Sequence, residues 1–338
     1  MPQFLLLLFT VPALIFGSAT AAEKQELPMT QPVSVSHCVI TARSTETTFH
    51  EFEKSGTPIH LIVHSDFTDH KILPSLLTYI QKSPQVVGVT LGYQEPVFSK
   101  YTPLDLTTAG SEQILQSLQN RSDLQRLTFG TAPKLEEKKF AEILSTHCAS
   151  MTNLTELKLH NIEFGEQSYQ EIAKIITQNT KLKTLELTRS VRAESNADAE
   201  AQIPLLEALQ KMPTSLSILA LTRLKLSGDS SELLWTALSA HPDLMVLTLA
   251  KCDIYQSDFI KLKLAGFTNL TSLNLSYNQI AFDSATQFIF EKIIANNLHA
   301  KSLDLSHNQS ITSKVLKSFE GQRILLKTKN TPIVEEEN

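Results

Sequence analysis

LTSLNLSYNQI, residues 270–280, sets leucine at its first, fourth and sixth places and an asparagine, Asn278, at its ninth. AKSLDLSHNQS, residues 300–310, follows the same rule with Ala300, Leu303, Leu305 and Asn308. LMVLTLAKCDI, residues 244–254, does so with Leu244, Leu247, Leu249, Cys252 and Ile254. A rule that returns at a near-constant interval describes one structural unit used many times, so it is followed along the chain before any single residue is weighed.

Toward the N-terminus the register continues. LSILALTRLKL supplies Leu216, Leu219, Leu221, Leu224 and Leu226, LKTLELTRSVR supplies Leu182, Leu185 and Leu187, and LTELKLHNIEF supplies Leu154, Leu157, Leu159, Ile162 and Phe164. LQRLTFGTAPK keeps Leu124, Leu127 and Phe129, VVGVTLGY keeps Val86, Val89 and Leu91, and PIHLIVHSD keeps Leu61 and Val63. The fourth-place residues Leu61, Val89, Leu127, Leu157, Leu185, Leu219, Leu247, Leu273 and Leu303 are 28, 38, 30, 28, 34, 28, 26 and 30 residues apart. About nine units are therefore expected.

Alternating leucines predict a strand in each unit. Between the strands, Ile172, Ile175 and Ile176, then Leu234 and Leu238, then Phe290, Ile293 and Ile294 recur at helical spacing. One strand–turn–helix unit cannot bury its apolar face alone, so neighbours stack around a shared core.

This pattern resembles the leucine-rich repeat family over residues 58–322, and its unit length with a helix in each unit is similar to the ribonuclease-inhibitor-like subtype. The resemblance implies an α/β horseshoe solenoid with a parallel sheet on the concave face and helices on the convex face. It also implies that the ninth-place side chain sits where the chain leaves the strand and satisfies backbone groups without a ladder partner. Asn278 and Asn308 match, Cys252 is a variant and a buried thiol, and Ile162, Ser190 and Leu224 depart. A continuous polar ladder is therefore expected only toward the C-terminus.

Residues 1–22 carry an apolar run, Phe4 to Phe16, followed by Ala19-Thr20-Ala21, the pattern of a cleaved secretory signal. Residues 23–57 read as an N-terminal cap that includes the strand VSVSHCVITA, and residues 323–338 as a covering strand, QRILLKTK, with the acidic tail TPIVEEEN. Two intervals are long. One holds GYQEPVFSKYTPLDLTTAG with Tyr93, Phe98 and Tyr101, and the other holds RAESNADAEAQ. Loops added to a solenoid are places for partner contact.

Composition restricts the chemistry. A net charge of −5 gives no basic footprint for nucleic acid, and ten glycines argue against a glycine-rich phosphate cradle. Cys38, Cys148 and Cys252 form no paired motif. The cluster HLIVHSDFTDH offers His60, His64, Asp66, Asp69 and His70, but strand register separates the first two histidines by about 13 Å, too far to share a zinc ion. No nucleotide-binding or hydrolase fingerprint occurs, so neither enzyme, cofactor nor metal is expected. The Asn-x-Ser/Thr sequences at Asn120, Asn153, Asn269, Asn274 and Asn308 largely coincide with the repeat register.

What remains is the concave face. Residues between the leucines face it: Arg126, Thr128, Glu156, Lys158, His160, Thr184 and Glu186, then Ile218, Ala220, Val246, Thr248, Ser272, Asn274, Ser302 and Asp304. The expectation is a secreted or periplasmic, monomeric, non-catalytic repeat protein that binds a protein partner, with no nucleic acid and no membrane insertion once the signal is removed. Arg126, Glu156, Lys158, His160 and Glu186 are the expected partner contacts, with Tyr93, Phe98 and Tyr101 from the insertion. A bacterial effector delivered into host cells is the alternative, raised by Glu335, Glu336 and Glu337 near the terminus. A loop-borne enzyme using His60, His64 or Cys38 is the third.

Overall fold

The computed structural model describes residues 35–40, 54, 56–64, 73–93, 109–119, 121–130, 137–189, 199–212, 216–226, 229–261, 267–296, 301–321 and 323–335. The signal segment, Asp66, Asp69, His70, Phe98, Tyr101, Asn120, Ser190, Glu336 and Glu337 lie outside these residues.

Fourteen strands are described. In chain order they are β1 Ser36–Ile40, β2 Ile59–His64, β3 Val86–Tyr93, β4 Arg126–Phe129, β5 Glu156–Ile162, β6 Thr184–Arg189 and β7 Ile218–Thr222. Then come β8 Val246–Ala250, β9 Ser272–Asn274, β10 Ala281–Phe282, β11 Ser302–Asp304, β12 Ser310–Thr312, β13 Leu325–Lys327 and β14 Ile333–Val334. Eleven form one sheet in the order β1-β2-β3-β4-β5-β6-β7-β8-β9-β11-β13, and β10, β12 and β14 form a second. Each pairing is parallel. Strand order that follows chain order through parallel crossovers means each unit touches only its neighbours, which is a solenoid.

The register locks the leucines into columns. Leu127 pairs with Leu157, Leu157 with Leu185, Leu185 with Leu219, and Leu219 with Leu247, and all five are fully buried. The residues between them are half-buried, as a sheet with one covered face requires. The helices cover the other face. α1 Leu73–Lys82, α2 Ala109–Leu118, α3 Glu137–Ile143, α4 Glu166–Gln178, α5 Ile203–Gln210, α6 Asp229–Ser239, α7 Gln256–Lys261, α8 Ser284–Asn296 and α9 Ser313–Lys317 each follow a strand. Ile172, Ile175 and Ile176 of α4, Leu234 and Leu238 of α6, and Phe290 of α8 are buried against the sheet. The chain is an α/β leucine-rich repeat solenoid. Residues 36–40 enter it as the first strand, and residues 323–334 continue its register with Leu326 and Thr328 in the fourth and sixth places.

The exit from each strand is built alike. The eighth residue is left-handed in six units: Asn161, Arg223, Lys251, Tyr277, His307 and Asn330 have φ between 55° and 62°. None is glycine, so each turn costs about 1–2 kcal/mol and needs compensation. The buried ninth residue supplies it in the C-terminal units. Asn278 Nδ2 donates to the Leu249 and Leu275 carbonyls at 2.7 and 2.9 Å, and its Oδ1 accepts from the Cys252 and Ile254 amides at 2.9 and 3.3 Å. Asn308 Nδ2 donates to the Leu275 and Leu305 carbonyls, both at 3.0 Å, and its Oδ1 accepts from the Ile280 amide. The Cys252 thiol begins the column on the Leu221 carbonyl, and the Thr331 hydroxyl extends it to the Leu305 carbonyl and the Asn308 amide. In the middle, Ile162 and Leu224 fill the same place with apolar side chains.

A second set of side chains ties the opposite turn, three residues before the first leucine. Asn179 Oδ1 accepts from the Leu154 amide, and its Nδ2 donates to the Met151 and Ile175 carbonyls. His241 Nδ1 accepts from the Leu216 amide and Nε2 donates to the Leu209 carbonyl. Arg121 donates to the Ile80 and Val86 carbonyls and pairs with Asp123. Asn179 and His241 are fully buried and Arg121 nearly so, and each reaches back to the preceding unit.

Asn278→Ala would leave several buried donors and acceptors unsatisfied, each costing about 1–3 kcal/mol. We expect a loss of about 3 kcal/mol in urea unfolding, against less than about 1 kcal/mol for Asn330→Ala on the exposed rim.

Candidate protein-binding face

The charged residues expected on the concave face do come together. Strand register places Arg126 beside Glu156, and Thr128, Lys158 and Glu186 in one row across β4, β5 and β6. Lys158 Nζ lies 3.3 Å from both Glu156 Oε1 and Glu186 Oε1, and His160 Nε2 lies 3.1 Å from Glu186 Oε2. Their side chains are between 24% and 38% exposed, too open to be core and too covered to be an ordinary surface pair.

The electrostatics hold Lys158 and Glu186 in their charged forms. Partial burial works against the Lys158 ammonium, but Glu156 and Glu186 outweigh it and raise its pKa above the usual lysine value. Burial likewise works against the Glu186 carboxylate, but the hydrogen bond from His160 and the charge of Lys158 carry its pKa below the usual range. An acid–base catalyst needs a pKa moved toward neutrality, and these two move away from it. The arrangement is suited to presenting fixed charge.

A second row runs through His37, His60, Gly88, Arg126 and Glu156. His60 is 7% exposed, its Nε2 lies 2.7 Å from Thr90 Oγ1, and its ring stacks on His37 at 5.5 Å. A Cβ at Gly88 would stand 2.9 Å from His60 Nδ1 and 3.0 Å from Arg126 Cβ. The space a side chain would fill at Gly88 is bordered by the imidazole on one side and the arginine stem on the other, so glycine is required between them. Burial, followed by the charges of His37, Arg126 and Lys158, lowers the His60 pKa to about 4, so the ring is neutral at pH 7. The repeat register places His64 at the end of the same strand. Among the described residues no group of three His, Cys, Asp or Glu side chains is placed to hold a metal ion.

The concave surface changes character past β6. Ile218 and Val246 form a half-buried apolar strip, followed by Ser272 and Ser302. Asn274 and Asp304 are less available than the sequence implies, because each accepts a hydrogen bond from the amide two residues on, at 2.9 and 3.0 Å. Of the three aromatic residues of the insertion, only Tyr93, at the end of β3, is among the described residues.

The cysteine chemistry is closed off. Cys38, Cys148 and Cys252 are buried, and burial pushes each thiol up to about 12, so all three stay protonated at neutral pH. Cys38 pairs in register with Leu61 on the core side, whereas His60 faces the concave side. Alternation along the strands keeps those two apart.

A feature missed in the sequence lies on the rim, where the left-handed eighth residues stack. Lys251 Nζ sits 4.7 Å from the Tyr277 ring, Tyr277 stacks on His307 at 3.9 Å and 8°, and Asn330 reaches His307 at 3.4 Å. The eighth place of each unit was the available signal, because residues there become neighbours across units.

No family model and no curated protein matches the chain. Among solved structures it is similar to TLR13 in complex with ssRNA13, at 20% identity and TM-score 0.46 over 82% of this chain and 36% of that one. It is also similar to an internalin from Listeria monocytogenes, at 16% identity and TM-score 0.43 over 83% of this chain and 64% of that one. A third is a chain of the Rad7–Elc1 complex of yeast, at 14% identity and TM-score 0.45 over 79% and 74%. The chain thus spans about a third of the first of these and just under two thirds of the second.

Because the folded-state pKa of His60 lies below the unfolded value of 6.5, the unfolded chain takes up the proton first as pH falls. Its stabilising effect is full above pH 6.5 and is lost on the way down to about 4. At about 1.4 kcal/mol per pH unit the loss approaches 3 kcal/mol as an upper bound. The stability difference between wild type and His60→Gln, from urea midpoints, should shrink across that window. His241, lowered in the same direction, is common to both proteins and cancels.

Proposed function

We propose that this protein is a non-catalytic interaction module that binds a folded protein partner through its concave face. The observation that carries this is the half-buried Glu156–Lys158–Glu186–His160 network across β5 and β6. It already holds its charges at fixed places in a partly dry setting, so a partner need not pay again to order them.

The balance of charge selects the kind of partner. Arg126 and Lys158 stand against Glu156 and Glu186, which gives no excess charge to hold a polyanion. Alternating signs instead demand a surface with a matching pattern, which a folded protein supplies. Ile218 and Val246, two and three strands from Lys158, offer apolar contact beside the polar patch.

The test is affinity capture with the full chain and with a variant carrying Arg126→Glu, Glu156→Lys, Lys158→Glu and Glu186→Lys together. The reversal keeps opposite charges adjacent around residue 158 and gives up only the partly exposed His160–Glu186 bond, so fold and stability should change little. The partner's affinity should fall at least about tenfold, as losing one buried charge pair does. Equal affinity for both proteins would remove the polar patch from the interface.

Export belongs to the same proposal and rests on residues 1–22, with a secreted chain that begins near Glu23 as the outcome N-terminal sequencing should give. Delivery into a host cell is tested by Glu335→Gln, Glu336→Gln and Glu337→Gln together. Deleting the last eight residues would instead remove Thr331 and break the polar ladder.

A further inference from the structure

The rim at the strand exits carries a charge opposite to that of the whole chain. Arg223, Lys251, Tyr277, His307 and Asn330 hold the eighth place in the units of β7, β8, β9, β11 and β13, and all five have left-handed backbone. Lys225 stands two residues after Arg223, and Lys329 precedes Asn330. Over the seventh, eighth and tenth places of these units, four lysine and arginine side chains face one exposed carboxylate, Asp253, in a chain of net charge −5. Among the described residues none of the four cations makes an ion pair. Asp258 and Asp283, past the turns, are already held by Ser231, Gln256 and backbone amides. β7 and β8 pair without a shift through Thr222 and Ala250, which sets Arg223 beside Lys251. Like charges in neighbouring places repel, and an anion lying across them removes that repulsion.

The turn itself does not call for these side chains. Left-handed backbone favours glycine or asparagine, and Asn161 and Asn330 meet that preference. Arginine, lysine, tyrosine and histidine are costlier there, so their value lies in what they present. They present it in a fixed form. Lys251 Nζ lies over the Tyr277 ring at 4.7 Å and His307 stacks on it at 3.9 Å, so both faces of the ring are covered. Tyr277 is still 45% exposed, and that exposure is at the ring edge.

We propose that this rim is a docking site for an acidic segment of a protein partner. Carboxylates lie across Arg223 and Lys251 and accept hydrogen bonds from the Lys251 ammonium, the Tyr277 hydroxyl and the Asn330 amide. Lys225 and Lys329 add charge at the two ends. A single-stranded nucleic acid shares the negative charge but binds by stacking bases on open aromatic faces, and Tyr277 has none to offer. The site is distinct from the Glu156–Lys158–Glu186–His160 network on β5 and β6 and does not rest on that reading.

Fluorescence anisotropy on the full chain tests it, with a labelled peptide of alternating glutamate and serine as the probe. The peptide should bind saturably despite the net charge of −5, and more weakly as salt is raised. Its glutamine–serine counterpart should not bind. Arg223→Asn with Lys251→Asn should weaken binding at least about tenfold, as loss of a charged contact does. Tyr277→Asn, which changes no charge, should weaken it about threefold. Asparagine suits left-handed backbone, so both variants should keep native circular dichroism. Lys174→Gln with Lys292→Gln removes as much charge from α4 and α8 and should leave binding unchanged. So should the fourfold reversal on the concave face, which separates the two sites. A wild type that fails to bind, rim variants that bind as wild type does, equal loss in either control variant, or tighter binding of an oligothymidylate would each overturn the proposal.

Discussion

A parallel strand one unit wide must turn out of the sheet at both ends, and each turn leaves amide and carbonyl groups in a dry place where water cannot reach them. Everything else in this molecule depends on how those groups are satisfied. At the strand exit, the left-handed eighth residue turns the chain and the ninth side chain reaches into the preceding unit, from Cys252 through Asn278 and Asn308 to Thr331. At the strand entrance, Arg121, Asn179 and His241 do the equivalent task with three unlike side chains. Because each of these side chains bonds to the neighbouring unit, they couple the units as well as closing the turns. Packing adds to that coupling. Phe129, Phe140, Phe164 and Tyr169 form one run of touching rings between sheet and helices, and Phe259, Phe282, Phe290 and Phe319 form another.

With the backbone settled in this way, the concave face is free to carry charge that does no structural task at the turns. The parallel register sets residues of successive strands side by side, so a pattern spread over about thirty residues of sequence per step becomes a row of near neighbours. Lys158 reaches Glu186 only because β5 and β6 are stacked without a shift at that row, while Glu156 stands two residues before it on the same strand. His60 and Arg126 keep their places on either side of β3 because Gly88 puts no side chain between them. Partial burial then strengthens these pairs relative to water while still leaving them open to a partner.

The repeat was legible because alternation along a strand and the recurring leucines report burial directly, and burial is what the sheet requires at every unit. The polar ladder was legible at Asn278 and Asn308, where an amide side chain stands among leucines. It was not legible at Thr331, where a hydroxyl does the same work in a unit that keeps only Leu326 of the repeat's leucines. Arg121, Asn179 and His241 escaped because they share a position and a role but no chemical type, so nothing in the letters marks them as one column.

By itself the sequence determined the solenoid, its strand order, the buried faces of most helices and the set of side chains available on the concave surface, since each follows from local periodicity. Only the tertiary structure decided which of those side chains meet: that Lys158 bridges Glu156 and Glu186, that Asn274 and Asp304 are spent on their own turns, and that Tyr277 stacks on His307. The physical reason is that periodicity fixes the direction in which a side chain points, whereas contact between units depends on the register of neighbouring strands and on how far each turn rotates the chain before the next strand begins.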